Sequence, residues 1–241
     1  MRQKLRTGVL IAAAVLTAAV IFAVWRPAHR EGRQPSQNAP PNVKVTLQAK
    51  EGAWGSEVID ALSRAISIPV AIEDFAPRDG PGALSGCKCK EVALKDAELK
   101  AALDSLKERC NGCVLWHYQE GFIIFTATVL PDDDCMRTRV DHLDFYGDPG
   151  ELVRELHKVD RRLVPLTPIV SVRNFQELQK QARVNAENKT VREILCRYCQ
   201  AAGLLWRSST AADGRTTVFF TASSRDQGAG GASAPVTQWQ Y

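Results

Sequence analysis

The sequence predicts an α+β protein: two tandem small βαββαβ modules, each a mixed sheet with two helices, behind an N-terminal transmembrane helix. Three observations lead there. The run GVLIAAAVLTAAVIFAVW from Gly8 to Trp25 carries no charge over 18 residues, enough for a helix to cross a hydrocarbon core of roughly 30 Å. From Val43 onward, alternating and helically spaced apolar residues follow one another. The same order then returns at a nearly constant spacing.

Residues 1–7 form a short basic stub, with Arg2, Lys4 and Arg6, before the 8–25 span. The run ends in Trp25-Arg26-Pro27 and not in a small-residue cleavage site, so it reads as an uncleaved anchor. The first cysteine is Cys87, which excludes a lipid-modified N-terminus. Arg26, Arg30 and Arg33 follow the span, so basic residues flank both ends and charge alone sets no orientation. Residues 26–42, with the stretch QPSQNAPPN, read as a proline-rich spacer. The last stretch, 223–241, is rich in Gly, Ala and Ser and reads as a disordered tail ending in Trp239 and Tyr241.

The first module spans 43–130. Val43, Val45, Leu47 and Ala49 alternate with polar residues, the period of a strand with one buried face. Trp54, Val58, Ala61, Leu62, Ala65 and Ile66 gather on one stripe of a helix. Ile68 to Ile72 reads as a strand, and Lys90 to Lys95 as another. Asp96 is the expected cap of a second helix buried through Leu99, Ala102, Leu103 and Leu106. A hairpin, Val114 to Tyr118 and Phe122 to Ala127 around Gln119-Glu120-Gly121, closes the module.

After a linker at 131–139, the second module occupies 140–222. Leu143 and Phe145 lie on a strand, and Asp148, Pro149 and Glu151 supply cap, first and third residues of a helix. Leu163 to Val170 reads as the next strand, whereas Val172 to Lys180 has no counterpart upstream. Val92, Leu94, Asp96, Leu99, Ala102, Leu103 and Leu106 match Val184, Ala186, Asn188, Val191, Ile194, Leu195 and Tyr198, each 92 residues on. Val114-Leu115-Trp116 matches Leu204-Leu205-Trp206 at a spacing of 90, and Phe125-Thr126-Ala127 matches Phe220-Thr221-Ala222 at 95. Apolar residues keep phase while loops change length.

Composition bounds the function. The chain has 241 residues, 45% of them apolar and 24% charged, which excludes both a disordered tail and a disulfide miniprotein. Net charge is +4, yet 31 basic residues less the three of the leader leave 28 against 27 acidic. No Lys/Arg stripe with interleaved aromatics follows, so no nucleic-acid partner is expected. A KH-like nucleic-acid binder is disfavoured too, since no G-x-x-G turn joins the helices of either copy.

Val45-Thr46-Leu47 with the helix Val58 to Ala65, Val92-Ala93-Leu94 with Leu99 to Leu106, and Thr190 to Leu195 leading into Ala202-Gly203-Leu204-Leu205-Trp206 together resemble the secretin and TonB short N-terminal (STN) domain. The resemblance covers about 170 of the 241 residues and rests on patterns of buried residues. It implies a non-enzymatic periplasmic interaction module. Partners implied are an envelope protein such as a secretin, a pilus component or a TonB-dependent transporter. The chain departs from the family in having its own anchor and no following barrel or ring-forming region, which points to a tethered adaptor and not to a channel. A signalling role would act through a partner, because only about seven residues precede the span.

Seven cysteines, Cys87, Cys89, Cys110, Cys113, Cys135, Cys196 and Cys199, suit an oxidising compartment and are the candidate disulfide residues. A strand of about seven residues climbs about 23 Å and a helix of about 14 returns about 21 Å. Cys87 and Cys89 at the strand start therefore meet Cys110 and Cys113 at the helix end. Two disulfides, one disulfide, a C-x-C…C-x-x-C zinc site and free thiols all remain open for this group. Cys135 leaves the total odd, with Cys196, Cys199 or another chain as its partner. Neither C-x-x-C is followed by His, and Cys196 and Cys199 sit away from a helix N-terminus, so haem attachment and thioredoxin-like chemistry are not expected.

His29, His117, His142 and His157 show no paired metal spacing and read as structural or solvent-facing. Asp132-Asp133-Asp134 lacks the Gly and Glu of a calcium loop and reads as solvated linker. Trp54, Trp116 and Trp206 fall at core phases. With no phosphate loop, nucleophile elbow or dinucleotide turn, no catalytic residue, metal or cofactor is assigned. The reading is a single-pass inner-membrane adaptor with its modules in the periplasm, bound to an envelope partner or to itself through sheet edges and helix faces. Its rival is a cysteine-based redox or zinc-binding protein.

Overall fold

A computed structural model describes residues 40–76, 82–131, 134–164 and 179–222. The span at 8–25, most of the spacer, and the tail at 223–241 lie outside these residues. So do most of the expected strand Leu163 to Val170 and all but the end of Val172 to Lys180. Among the described residues no helix is long and apolar enough to cross a membrane.

The protein is α+β, and among the described residues one element order occurs twice. The first half runs β1 (Lys44–Ala49), α1 (Gly55–Ala65), β2 (Val70–Ala76), β3 (Val92–Glu98), α2 (Leu99–Arg109), β4 (Val114–Gln119) and β5 (Phe122–Ala127). The second runs β6 (Arg139–Gly147), α3 (Pro149–Val159), β7 (Leu163–Val164), β8 (Ala182–Thr190), α4 (Val191–Ala202), β9 (Leu204–Ala211) and β10 (Thr216–Ala222).

Local sequence explains the elements. Asp148 caps α3: its carboxylate accepts from the Glu151 N–H at 2.8 Å while Glu151 accepts from the Asp148 N–H at 3.1 Å, with Pro149 in the first turn. Thr190 and Glu193 repeat this box on α4, and Gly203 ends that helix at φ 67°. Glu120 and Gly121, at φ 48° and 77°, make the β4–β5 turn, both in the left-handed region that a two-residue hairpin requires.

Asp96 is not a cap. Glu98 occupies that position, and Asp96 lies inside β3 at φ 50°, where the β1–β3 register slips. Its N–H bonds the Thr46 hydroxyl at 3.2 Å. Asn188, 92 residues on, has φ 49° inside β8. Asp and Asn enter this region at low cost, so both copies place a short polar residue at the same kink.

The sheets do not separate into two modules. β1–β3 and β6–β8 are antiparallel pairs, but the other strands form one six-stranded sheet in the order β4-β5-β2-β9-β10-β7. Parallel pairing of β2 with β9, Ile72 to Ala76 beside Arg207 to Ala211, joins the halves. The linker expectation is corrected as well. Cys135 and Met136 are buried in a 3-10 turn, and Asp134 caps it by accepting from the Met136 N–H at 2.7 Å.

Register assigns the faces, because paired residues in a ladder point the same way. One face carries Val70, Ile72, Ile123 and Phe125, which pack with Val58, Leu62, Leu99, Leu103 and Leu106 of α1 and α2. The opposite face carries Ala71, Phe122, Ile124, Leu204, Trp206 and Val218, which pack with Leu152, Leu156, Ile194 and Tyr198 of α3 and α4.

Candidate functional site

Two disulfides pin the α2 end of the first half. Cys87 bonds Cys113 and Cys89 bonds Cys110, with Cα separations of 6.5 and 4.1 Å. The strand-and-helix return brings them together as the lengths require, and Lys90 N–H bonds the Arg109 carbonyl beside them at 2.9 Å. Cys135, Cys196 and Cys199 are free and buried, so within the chain Cys135 pairs with neither Cys196 nor Cys199. Burial pushes the Cys135 thiol up to about 11 and raises those of Cys196 and Cys199 further from reactivity.

The seam between the halves is charged. Glu73 of β2, fully buried, accepts from Arg192 of α4 through both oxygens at 2.5 and 2.6 Å and from the Thr126 hydroxyl of β5 at 3.1 Å. Arg192 also lies 3.9 Å from Asp134. Burial would lower the Arg192 pKa, but the Glu73 carboxylate holds it above its ordinary value. Burial raises the Asp134 carboxyl, and the Glu73 charge adds to the rise. Three further ion pairs cross the seam. Asp60 of α1 takes Arg207 of β9 at 2.5 Å, and Glu120 of the hairpin turn takes Lys189 at 3.3 Å and Arg197 at 2.9 Å.

His117 of β4 is half-buried, and its Nε2 is enclosed and unpaired. Burial, with Arg192 next in effect, lowers its pKa to about 4, so it stays neutral near pH 7. His142 lies exposed on β6, His157 on α3 meets the Leu163 carbonyl, and His29 is outside the described residues. Trp206 is fully buried, but Trp54 is 39% exposed beneath the Lys88 ammonium, and Trp116 is half-buried with its indole donating to Asp104 at 3.1 Å. Trp54 is therefore not a core residue.

The surface differs between the two ends of the large sheet. The face that α1 and α2 cover on β5 and β2 continues onto β9 and β10 as Leu205, Arg207, Ser209, Thr217 and Phe219. There it is open. Every residue of β5 is buried, whereas β9 alternates buried and half-buried, and Phe219 of β10 is 41% exposed. Val164, Ser209, Ala211, Arg215, Thr217 and Phe219 line a shallow groove of about 290 Å³ on this face. A second open groove, of about 440 Å³, lies between β6 and α3, beside Tyr146 and lined largely by Asp144, Glu151, Arg154 and Glu155.

No family model, curated protein or solved structure matches the chain. The sequence pattern missed the buried Glu73, although a signal was present: carboxylates inside the apolar run VAIEDFA need donors, and whereas Asp74 takes the Phe75 and Leu84 N–H groups, Glu73 takes Arg192 at the start of α4.

Proposed function

We propose that the chain is a non-enzymatic, membrane-anchored interaction protein. Its two STN-like βαββαβ halves stand in the periplasm behind the 8–25 anchor and dock another envelope protein, such as a secretin, a pilus component or a TonB-dependent transporter. The observation that carries the reading is the open face around Phe219. It is the continuation of a face that helices cover elsewhere in the same sheet, and an apolar ring at its centre, with Ser209 and Thr217 and the Arg207 and Arg215 guanidiniums around it, suits a protein partner. The disulfide pairs fit an oxidising compartment.

The test is chemical cross-linking of the full chain in intact envelopes, comparing the native sequence with Phe219→Glu. The expected product is a heterologous envelope protein that links to the native chain and is lost in the variant. Self-links alone, or the same product from both, contradict the reading.

One observation favours a second reading. The sulfurs of Cys87, Cys89 and Cys110 lie within 4.8 Å of one another, and Cys113 is bonded to Cys87, so reduction of the two disulfides would free thiols close enough together to bind zinc. Stoichiometric zinc in the chain isolated without oxidation, with four thiols masked by it, would favour this reading over inert disulfides.

A further inference from the structure

We propose that two copies of this chain pair through β4, antiparallel about a two-fold axis at Trp116, making the large sheet continuous across a dimer. The ladder shows which groups are available. The Ile123 N–H points to β2, where it bonds the Pro69 carbonyl at 3.0 Å, and the Thr128 N–H bonds the Cys113 carbonyl at 3.1 Å. Because the bonding direction alternates along a strand, Leu115, His117 and Gln119 bond inward to Thr126, Ile124 and Phe122. Val114, Trp116 and Tyr118 then aim their N–H and C=O groups outward. Among the described residues β4 pairs with no strand but β5.

A two-fold axis at Trp116 uses all of these groups. Trp116 faces Trp116 of the second copy, and Val114 faces its Tyr118, each facing pair exchanging both hydrogen bonds. The side chains match as well. Aromatic and β-branched residues meet on one face, and on the other Leu115 meets His117 of the second copy, which its lowered pKa leaves neutral.

The partner is a second copy because this edge carries none of the charged or strand-breaking residues that prevent self-pairing. β4 reads VLWHYQ, with no Lys, Arg, Asp, Glu, Pro or Gly, so it meets its own image without like-charge repulsion. The other described edges are defended. β1 carries Lys44; β3 carries Lys95 and Glu98 with the left-handed kink at Asp96; β6 carries Arg139, Asp141 and Asp144; β8 carries Arg183, Glu187 and Lys189 with the kink at Asn188. Leu115 at 40% exposed, and Val129 at 57%, close to Cys113, add apolar surface beside β4. The far end of the sheet runs from β7 into residues outside the described ones and carries no part of the argument. Nor does the inference depend on what docks at Phe219.

The experiment is residue-resolved amide hydrogen exchange on the full chain in detergent, with its protein molar mass measured in parallel, for the native sequence and Leu115→Lys. The expected result is a native dimer in which the Val114, Trp116 and Tyr118 amides exchange at least about 100-fold more slowly than in a monomeric L115K, while His117 and Gln119 are protected in both. A native monomer overturns the proposal. So does a dimer whose outward amides exchange as fast as loop amides, since it would join elsewhere. If L115K fails to fold, the native alternation of fast and slow amides along β4 decides alone.

Discussion

The hairpins β4–β5 and β9–β10 carry matching residues, Trp116 with Trp206 and Phe125-Thr126-Ala127 with Phe220-Thr221-Ala222, yet they are buried differently. Helices of both halves enclose β5, so its Thr126 is buried and gives its hydroxyl to Glu73. β9 and β10 are packed by α3 and α4 on one face and met by Asp60 of α1 at Arg207 on the other, and Thr221 stays half-exposed. Local sequence makes the same hairpin twice. Burial comes from what each hairpin is next to, and the parallel join of β2 to β9 makes the first internal and leaves the second open.

The largest way to break this asymmetry is at the seam. Arg192→Met strands the Glu73 carboxylate in the core, so denaturant unfolding of the full chain should show a loss of about 3–5 kcal/mol. The double change Glu73→Leu with Arg192→Met should recover most of it. If the single variant is as stable as the native protein, the halves do not meet through this pair.

Matched tryptophans sharpen the comparison next. Trp206→Ala empties a fully buried site and should cost about 3–5 kcal/mol, whereas half-buried Trp116→Ala should cost about half as much. Equal losses would mean that the two hairpins are equally enclosed.

The pH dependence is smaller. His117 has a folded pKa of about 4 against 6.5 for a free histidine, so between these values the unfolded chain binds more protons. Its contribution is complete above about pH 6.5 and is lost as pH falls toward 4, a change on the order of 3 kcal/mol. Asp134, whose carboxyl is raised, acts in the opposite sense. His117→Gln should flatten the stability profile over this window relative to the native chain.

The smallest effect is at the kinks. Asn188→Ala forces a Cβ-bearing residue without a compensating amide into φ 49° and should cost about 1 kcal/mol by thermal melting, while Asn188→Gly should be nearly neutral. The same pair of changes at Asp96 should behave alike, since the first copy has the same kink.

These elements also mark what the sequence makes legible. Apolar stripes placed α1, α2 and α4, the Asp148-Pro149-Glu151 run placed the start of α3, and strand and helix lengths brought Cys87 and Cys89 to Cys110 and Cys113. All of that depends on residues within about 25 positions of one another. The fused sheet, the buried Asp134 and the partner of Glu73 depend on contacts more than 50 positions apart, which periodicity does not record. Asp96 was ambiguous for a local reason: Asp serves equally as a helix cap and as a left-handed residue one turn earlier. The open face was invisible because Val218, Phe219 and Phe220 form an unbroken apolar run, which does not record which of its two faces a helix covers.

The most direct test of the central claim, that this open face is where a partner sits, is oxidative footprinting of the full chain in intact envelopes against the chain purified in detergent. Phe219 should be labelled several-fold less in envelopes, with exposed Tyr146 on β6 unchanged as the reference. Equal labelling of Phe219 in both settings would contradict the account.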